Sequence, residues 1–275
     1  MKIVVPMAGR GSRFLEAKEQ NPEYGNPKPL INIKGKPMVA WAIESLPFVD
    51  LPARPAQTDF KVPTSNLIFI CRKDHEDEFN ISASLKRIFS ENINVLFVEQ
   101  ITRGAAETVL IAKDFINTEE DIIVSDSDHY FDGTNLYNAI KSKNKETAGI
   151  IPVFKPPDSD PKWSFTLFDE NKVALAVGEK DAQLAAQGAW ANIGGYYFSS
   201  GKIYVDEAEE MIASGDMYGA EGKKEFYLAP VFDRLIKKGK RIEVALIPEV
   251  WGLGTPKDVE YFLENFTGQK IGSTE

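Results

Sequence analysis

The residues of this 275-residue chain that could do chemistry gather in a few short segments, and they suit phosphates and a hard metal better than a nucleophile with its base. Met7-Ala8-Gly9-Arg10-Gly11-Ser12-Arg13-Phe14 follows the first aliphatic run. Glycines leave backbone N–H groups uncovered, so a turn after a strand can approach a phosphate while an adjacent arginine neutralises it. The same Gly-x-Gly pattern also serves as a plain tight connection. Its spacing excludes a P-loop, and no third glycine completes a dinucleotide fingerprint. Downstream, Asn26-Pro27-Lys28-Pro29-Leu30 fences a lysine between prolines that restrict the backbone and can hold its amine in one direction; a solvated loop charge would look the same.

A second set begins with Ile122-Ile123-Val124-Ser125-Asp126-Ser127-Asp128-His129. Two carboxylates two residues apart at the carboxyl end of a strand point the same way, where an open α/β sheet places its ligands, and hard oxygen donors suit Mg²⁺. A solvated strand end would look alike. His129 is a metal ligand by type, yet one histidine beside two carboxylates is expected to be a structural hydrogen bonder. Thr102-Arg103-Gly104-Ala105-Ala106-Glu107-Thr108 opens a helix with small residues, which admit either a flat base or a closely packed neighbour. Gly178-Glu179-Lys180 and Asn192-Ile193-Gly194-Gly195-Tyr196 complete the set.

Positioning these segments requires an ordered scaffold. Short β-branched or aliphatic runs at Lys2 to Val5, Asn66 to Cys71, Asn94 to Glu99, Asp121 to Ser125 and Ala148 to Phe154 alternate with helical stretches at Pro37 to Leu46, Ser82 to Phe89, Ala105 to Phe115 and Thr134 to Lys143. Such alternation predicts an α/β fold with a largely parallel, doubly wound sheet over the first 155 residues. The proline-rich interval Pro47 to Ser65 is expected to be a surface excursion without a role. After Pro156-Pro157 the pattern changes to a hairpin, Ser164 to Phe168 and Lys172 to Val177. A strand at Asn192 to Phe198, helices at Tyr204 to Ala213 and Phe226 to Lys238, a strand at Arg241 to Ile247 and a helix from Pro256 to Asn265 follow.

Composition narrows the partners. Thirty-two Lys plus Arg against 41 Asp plus Glu give a net charge of -9, the wrong sign for broad adhesion to nucleic acid or anionic lipid. Any anion must therefore meet a local basic site. A single cysteine, Cys71, fits a reducing compartment, and the apolar stretch from Ile3 to Ala8 is too short for a signal-peptide core, so a cytoplasmic location is expected.

Together, the glycine-arginine turn, the proline-fenced Lys28 and the Gly35-Lys36-Pro37 helix opening resemble the nucleotidyltransferase family of sugar-phosphate pyrophosphorylases. The resemblance implies one Rossmann-like domain over 1–275, with a mixed, mainly parallel sheet of the kind shared with nucleotide-sugar transferases. Residues 1–155 would be its nucleotide half and 156–275 its acceptor half. Gly9, Gly11, Ser12 and Arg13 would wrap an NTP triphosphate, Ala8 and Gly9 lie under the base, and Arg13 and Lys28 balance charge on the reacting phosphates. Asp128 would hold Mg²⁺, with Asp126 second. Gly104 and Glu107 would flank the base, Lys180 grip the acceptor's phosphate, Glu179 reach a sugar hydroxyl, and Asn192 with Gly194 underlie the acceptor. The implied partners are an NTP and a phosphorylated small molecule.

One departure stands out. The family's Trp-x-Asp-x-Gly-Thr-Pro, whose aspartate completes the metal site, is here Trp251-Gly252-Leu253-Gly254-Thr255-Pro256. Three explanations are open: a metal held by Asp128 with Asp126 and phosphate oxygens, substitution by another carboxylate such as Glu249, or loss of catalysis. This form also resembles a branch associated with capsule and lipopolysaccharide building blocks, which widens the possible acceptors to a non-sugar phosphate taken by a cytidylyltransferase. Asp126-x-Asp128 keeps a metal-dependent glycosyltransferase open as a rival reading, and Gly252 a silent nucleotide binder.

Overall fold

The structure, a computed structural model, describes residues 1–157, 160–219 and 224–268. The apolar runs of the first half become β1 (Lys2–Pro6), β2 (Leu67–Arg72), β3 (Asn94–Val98), β4 (Ile122–Ser125) and, after a short β5 (His129–Phe131), β6 (Thr147–Phe154). β3, β2, β1 and β4 lie side by side, all parallel. The second half contributes β7 (Ser164–Phe168), β8 (Ala174–Glu179), β9 (Trp190–Asn192), β10 (Gly195–Phe198), β11 (Arg241–Leu246) and β12 (Val250–Gly252). β10 bridges β4 to β6 with antiparallel pairing on both sides, and the edge continues through β9, β7 and β8. With β11 parallel to β6, these form one ten-stranded mixed sheet.

The parallel strands are covered on both faces, which explains their unbroken apolar sequences. Ile3 and Val5 enter one core with Leu67, Phe69 and Cys71, under helices Met38–Glu44 and Ile81–Ile88. Val4 enters the opposite core with Ile68 and Ile70, under helices Gly201–Ser214 and Ala229–Lys237. Full burial of each such side chain is worth about 1.5–3 kcal/mol, so the sheet between them is a stiff platform. Cys71 lies inside this core, where burial pushes its thiol up to about 12 and leaves it inert. No helix of the described residues is long and apolar enough to cross a membrane.

Several local expectations are corrected. The helix expected from Ala105 to Phe115 is three pieces, Ala105–Val109, a 3-10 turn Leu110–Ala112, and Lys113–Ile116. The helix expected from Phe226 begins at Ala229, because Pro230 favours the first turn of a helix; Phe226 and Tyr227 are released for other contacts. Lys172, at φ +61, delays the second hairpin strand to Ala174, and Asp169 caps the intervening turn by accepting from the backbone of Asn171 and Val173. The proline-rich interval is not an idle excursion. Val49–Asp50 pairs with Val62–Pro63, and the rings of Phe48, Phe60 and Tyr137 pack in series, tilted by 40° and 41°, against the core.

Candidate active site

At the end of β1 the chain turns into helix Ser12–Glu16 through Gly11, whose φ of +64 lies in the left-handed region that glycine adopts freely. Buried Phe14 packs edge-on against Tyr24 at 5.1 Å, which ties this turn to the segment leading to Lys28. A Cβ on Gly11 would lie 3.4 Å from that of Lys28. The two basic segments of the sequence therefore meet. Ala8, Gly9, Gly11, Ser12, Arg13, Lys28 and Gly104 line one cleft of about 850 Å³; Thr102, Thr108 and Gly254 share its wall, together with Met217, which lies outside every segment singled out from the sequence. Its size suits a small-molecule ligand.

Gly104 has a clear packing reason for being glycine. At φ +148, a Cβ would stand 2.5 Å from the backbone oxygen of Phe226. The amide of Ala106 donates to that oxygen at 2.9 Å, while the Phe226 amide donates to Arg103 at 2.9 Å. Glu107 is engaged by its neighbour: its carboxylate accepts from the backbone N–H and guanidinium of Arg103. Arg103 in turn sits 4.9 Å over the Phe226 ring.

The carboxylates converge beside this cleft. Lys28 Nζ donates to Asp128 Oδ2 at 2.5 Å across 100 residues, in an ion pair about a quarter exposed. Burial opposes charge on Asp128, but the Lys28 ammonium outweighs it and holds the carboxyl below the usual carboxylate range. Asp126 goes the other way, pushed up to about 7 by burial and then by the like charge of Asp128. Its backbone N–H donates to Gly194 at 2.8 Å, and a Cβ on Gly194 would fall 1.9 Å from Asp126 Oδ2. Gly194 thus makes room for the Asp126 side chain, and the strand expected across residues 192–198 breaks there into β9 and β10. His129, adjacent in sequence, is buried, and burial lowers its imidazole to about 4.

The remaining candidates form a separate cluster on the second half. Glu179 ends β8 with its side chain buried and accepts from the Ser164 hydroxyl. Lys180, at φ +53, turns its amine onto Tyr227, donating to the phenol at 2.8 Å and lying 4.7 Å over the ring. Tyr227 was missed because an expected helix covered it. Asn192 accepts from Thr166 at 2.6 Å, and its buried Nδ2 has no protein partner. Glu179 adds to the like charge that raises Asp126, so this cluster and the acid pair share one electrostatic neighbourhood.

Burial raises Glu179 itself, so the folded protein binds a proton there more tightly than the unfolded chain does. Its contribution to stability is then lost as pH rises from the ordinary carboxylate range, about 4.3, toward the raised folded value. Glu179→Gln is expected to melt at a higher temperature than wild type at pH 8, with the gap closing near pH 4. Melting curves across that range check it, and a gap independent of pH would contradict it.

The C-terminal motif packs against the acids. β12 pairs antiparallel with β5, placing Gly252 opposite His129. Thr255 caps helix Pro256–Asn265 by accepting from the Asp258 amide, and a Cβ on Gly254 would lie 3.0 Å from Asp128 Oδ2. Gly252 has ordinary strand geometry, and its nearest neighbour, Asp258 Cγ, would be 3.7 Å from a Cβ. Glu249 has no place among the clustered donors; Asp126, Asp128 and His129 do. Two carboxylates and an imidazole with mutually close donor atoms fit a divalent cation by donor chemistry.

Residues 24–226 match the family model described as nucleotidyl transferase. The bifunctional protein GlmU of Fervidobacterium nodosum is 23% identical over 221 residues, which cover 79% of this chain and 42% of that protein. The chain thus spans about two fifths of that relative's length. A nucleoside-diphosphate-sugar pyrophosphorylase from Vibrio cholerae RC9 has a similar structure, with a TM-score of 0.70 at 24% identity over 95% of this chain and 99% of that one. The inositol-1-phosphate CTP transferase from T. maritima is also similar, with a TM-score of 0.64 at 15% identity over 94% and 90% of the two chains. At these identities the two structures speak for the fold.

Proposed function

We propose, since this chain belongs to the nucleotidyl transferase family, that it is an enzyme joining an NTP to a phosphomonoester, with a sugar 1-phosphate as acceptor and pyrophosphate as the second product. The observation that carries this reading is the Lys28–Asp128 ion pair, which couples the glycine-lined cleft to the carboxylates beside it. A glycosyltransferase reading leaves the Gly9 to Arg13 loop without a task. Within a single domain, residues 1–155 hold the nucleotide and the rest of the chain the acceptor.

The acceptor phosphate is largely dianionic at neutral pH because its second pKa is near 6. One of its oxygens forms a bond to the α-phosphorus as the bond from that phosphorus to the bridging oxygen of pyrophosphate breaks, so no general base is needed. Uncovered amides at Gly9 and Gly11 and the Ser12 hydroxyl bind the triphosphate. Arg13 and Lys28 meet the charge that moves onto the leaving group. Lys180 holds the acceptor phosphate, and Glu179 and Asn192 orient the remainder by hydrogen bonds. Asp128 and Asp126 would hold the divalent cation, expected to be Mg²⁺, which when bound would neutralise phosphate charge.

The acceptor is not restricted to hexose phosphates. The T. maritima structure carries the name of an inositol-1-phosphate CTP transferase on the same fold, which supports a cytidylyltransferase for a non-sugar phosphate as the second reading. A role in supplying activated precursors for surface polysaccharide rests on the Trp251 to Pro256 motif, and a cytoplasmic setting on the single Cys71 and the short Ile3 to Ala8 stretch.

Lys180→Ala is expected to raise the KM for the acceptor about tenfold or more while the Kd for the NTP stays within about twofold, since a charge-assisted hydrogen bond is worth about 1.5–3 kcal/mol. Initial rates against a panel of phosphomonoesters, with nucleotide binding followed by thermal shift for ATP, CTP, GTP, UTP and dTTP, test the reading. Equal weakening of both ligands would remove Lys180 from the acceptor side, and no stabilisation by any nucleotide would remove the cleft from NTP binding.

A further inference from the structure

One polar side chain among the clustered donors has no task in the reading above. His129 is 6% exposed, and its Nε2 is buried without a hydrogen-bond partner. A ring nitrogen of His129, an oxygen of Asp126 and an oxygen of Asp128 all lie within 4.8 Å of one another. The pairing of β5 with β12 sets His129 directly opposite Gly252. Opposite residues of an antiparallel pair project from the same face of the ribbon. At this rung, therefore, residue 252 sends no side chain into the site, and residue 129 sends an imidazole. The ring stays near its site through packing on Phe131, 5.3 Å away between centroids.

We propose that His129 is the third protein donor of the metal centre, forming a two-carboxylate, one-imidazole set with Asp126 and Asp128 that favours a first-row transition cation such as Mn²⁺ or Co²⁺ over Mg²⁺. The proposal rests on the reading of the two aspartates as ligands. Its chemical basis is the nitrogen. Mg²⁺ takes an octahedral shell of oxygens and gives up water reluctantly, whereas imidazole raises affinity along the first-row divalent series. The nitrogen donor on β5 thus stands in for a carboxylate that β12 lacks.

The test uses the full chain, freed of metal with EDTA and exchanged into chelator-free buffer. Calorimetric titrations with MnCl₂ and MgCl₂ are compared between wild type, His129→Gln and Asp128→Asn, and electron spin-echo spectra are recorded for Mn²⁺ on the wild type. Wild type is expected to bind Mn²⁺ roughly tenfold or more tighter than Mg²⁺, and the bound Mn²⁺ is expected to show coupling to a directly bound nitrogen. His129→Gln is expected to lose the Mn²⁺ preference while its Mg²⁺ affinity stays within about threefold. Absence of nitrogen coupling in the wild type overturns the proposal whether or not the variant folds. Unchanged Mn²⁺ affinity in folded His129→Gln overturns it as well. Asp128→Asn separates the two levels: if it releases both metals while His129→Gln releases neither, only the role of His129 falls. If Asp128→Asn keeps both metals, the aspartate reading falls too.

Discussion

Asp128→Asn is expected to lower turnover at least about a hundredfold at saturating metal and nucleotide, because an amide keeps the size of the group and removes the charge that both Lys28 and a hard cation need. The loss corresponds to about 2.7 kcal/mol or more of barrier. Lys28 then faces an uncharged partner and is free to follow the nucleotide phosphates, so the Kd for NTP should change far less than kcat. Asp126→Asn is expected to cost less, about 10–100-fold, since the Asp126 carboxyl is drawn toward its protonated form by burial and by Asp128. Steady-state rates over a metal titration, with circular dichroism to verify folding, measure both. Near-wild-type turnover in Asp128→Asn would remove the carboxylate from the centre of the mechanism.

A large loss of stability is expected from Gly104→Ala. Two independent penalties meet at this residue: a φ of +148 that L side chains rarely adopt, and three backbone atoms of Phe226 between 2.5 and 2.8 Å from the added Cβ. Backbone cannot swing aside as a side-chain tip can. The variant should lose about 3 kcal/mol or more through strain and overpacking, and the segment from Phe226 to Leu228 should separate from helix Ala105–Val109. Because Tyr227 in that segment holds Lys180, acceptor KM should rise along with the loss of stability. Urea unfolding gives the first quantity and initial rates the second. A variant as stable as wild type would mean that the contact between Gly104 and Phe226 is absent in solution.

These two residues mark how far the sequence could be read. The parallel strands were legible because continuous apolar runs have few other uses, and the Gly9 to Arg13 turn, Lys28 and Asp128 because their chemistry is local. Lys28 and Asp128 were both singled out, but their pairing across 100 residues leaves no sequence signal; the sheet order brings them together. Gly104 was legible as a small residue, though its neighbour is Phe226, which lies far along the chain. Gly194 reads in the sequence as a residue beneath the acceptor, while its missing side chain makes room for Asp126. Tyr227 lies within the span that the sequence assigns to a helix, which in the structure starts three residues later, and the pairing of His129 with Gly252 on the facing strand has no sequence signal. In each case the local residue type was visible and the tertiary partner was not.

The most direct measurement is a ³¹P NMR time course of the protein with NTP, a divalent cation and a phosphomonoester acceptor. The account predicts that free pyrophosphate and a new pair of coupled diphosphate resonances appear together, in equal amounts, at the expense of the NTP and the acceptor phosphate. Conversion of acceptor to product without pyrophosphate, or tight nucleotide binding with no new phosphorus resonance for any NTP and acceptor, would contradict it.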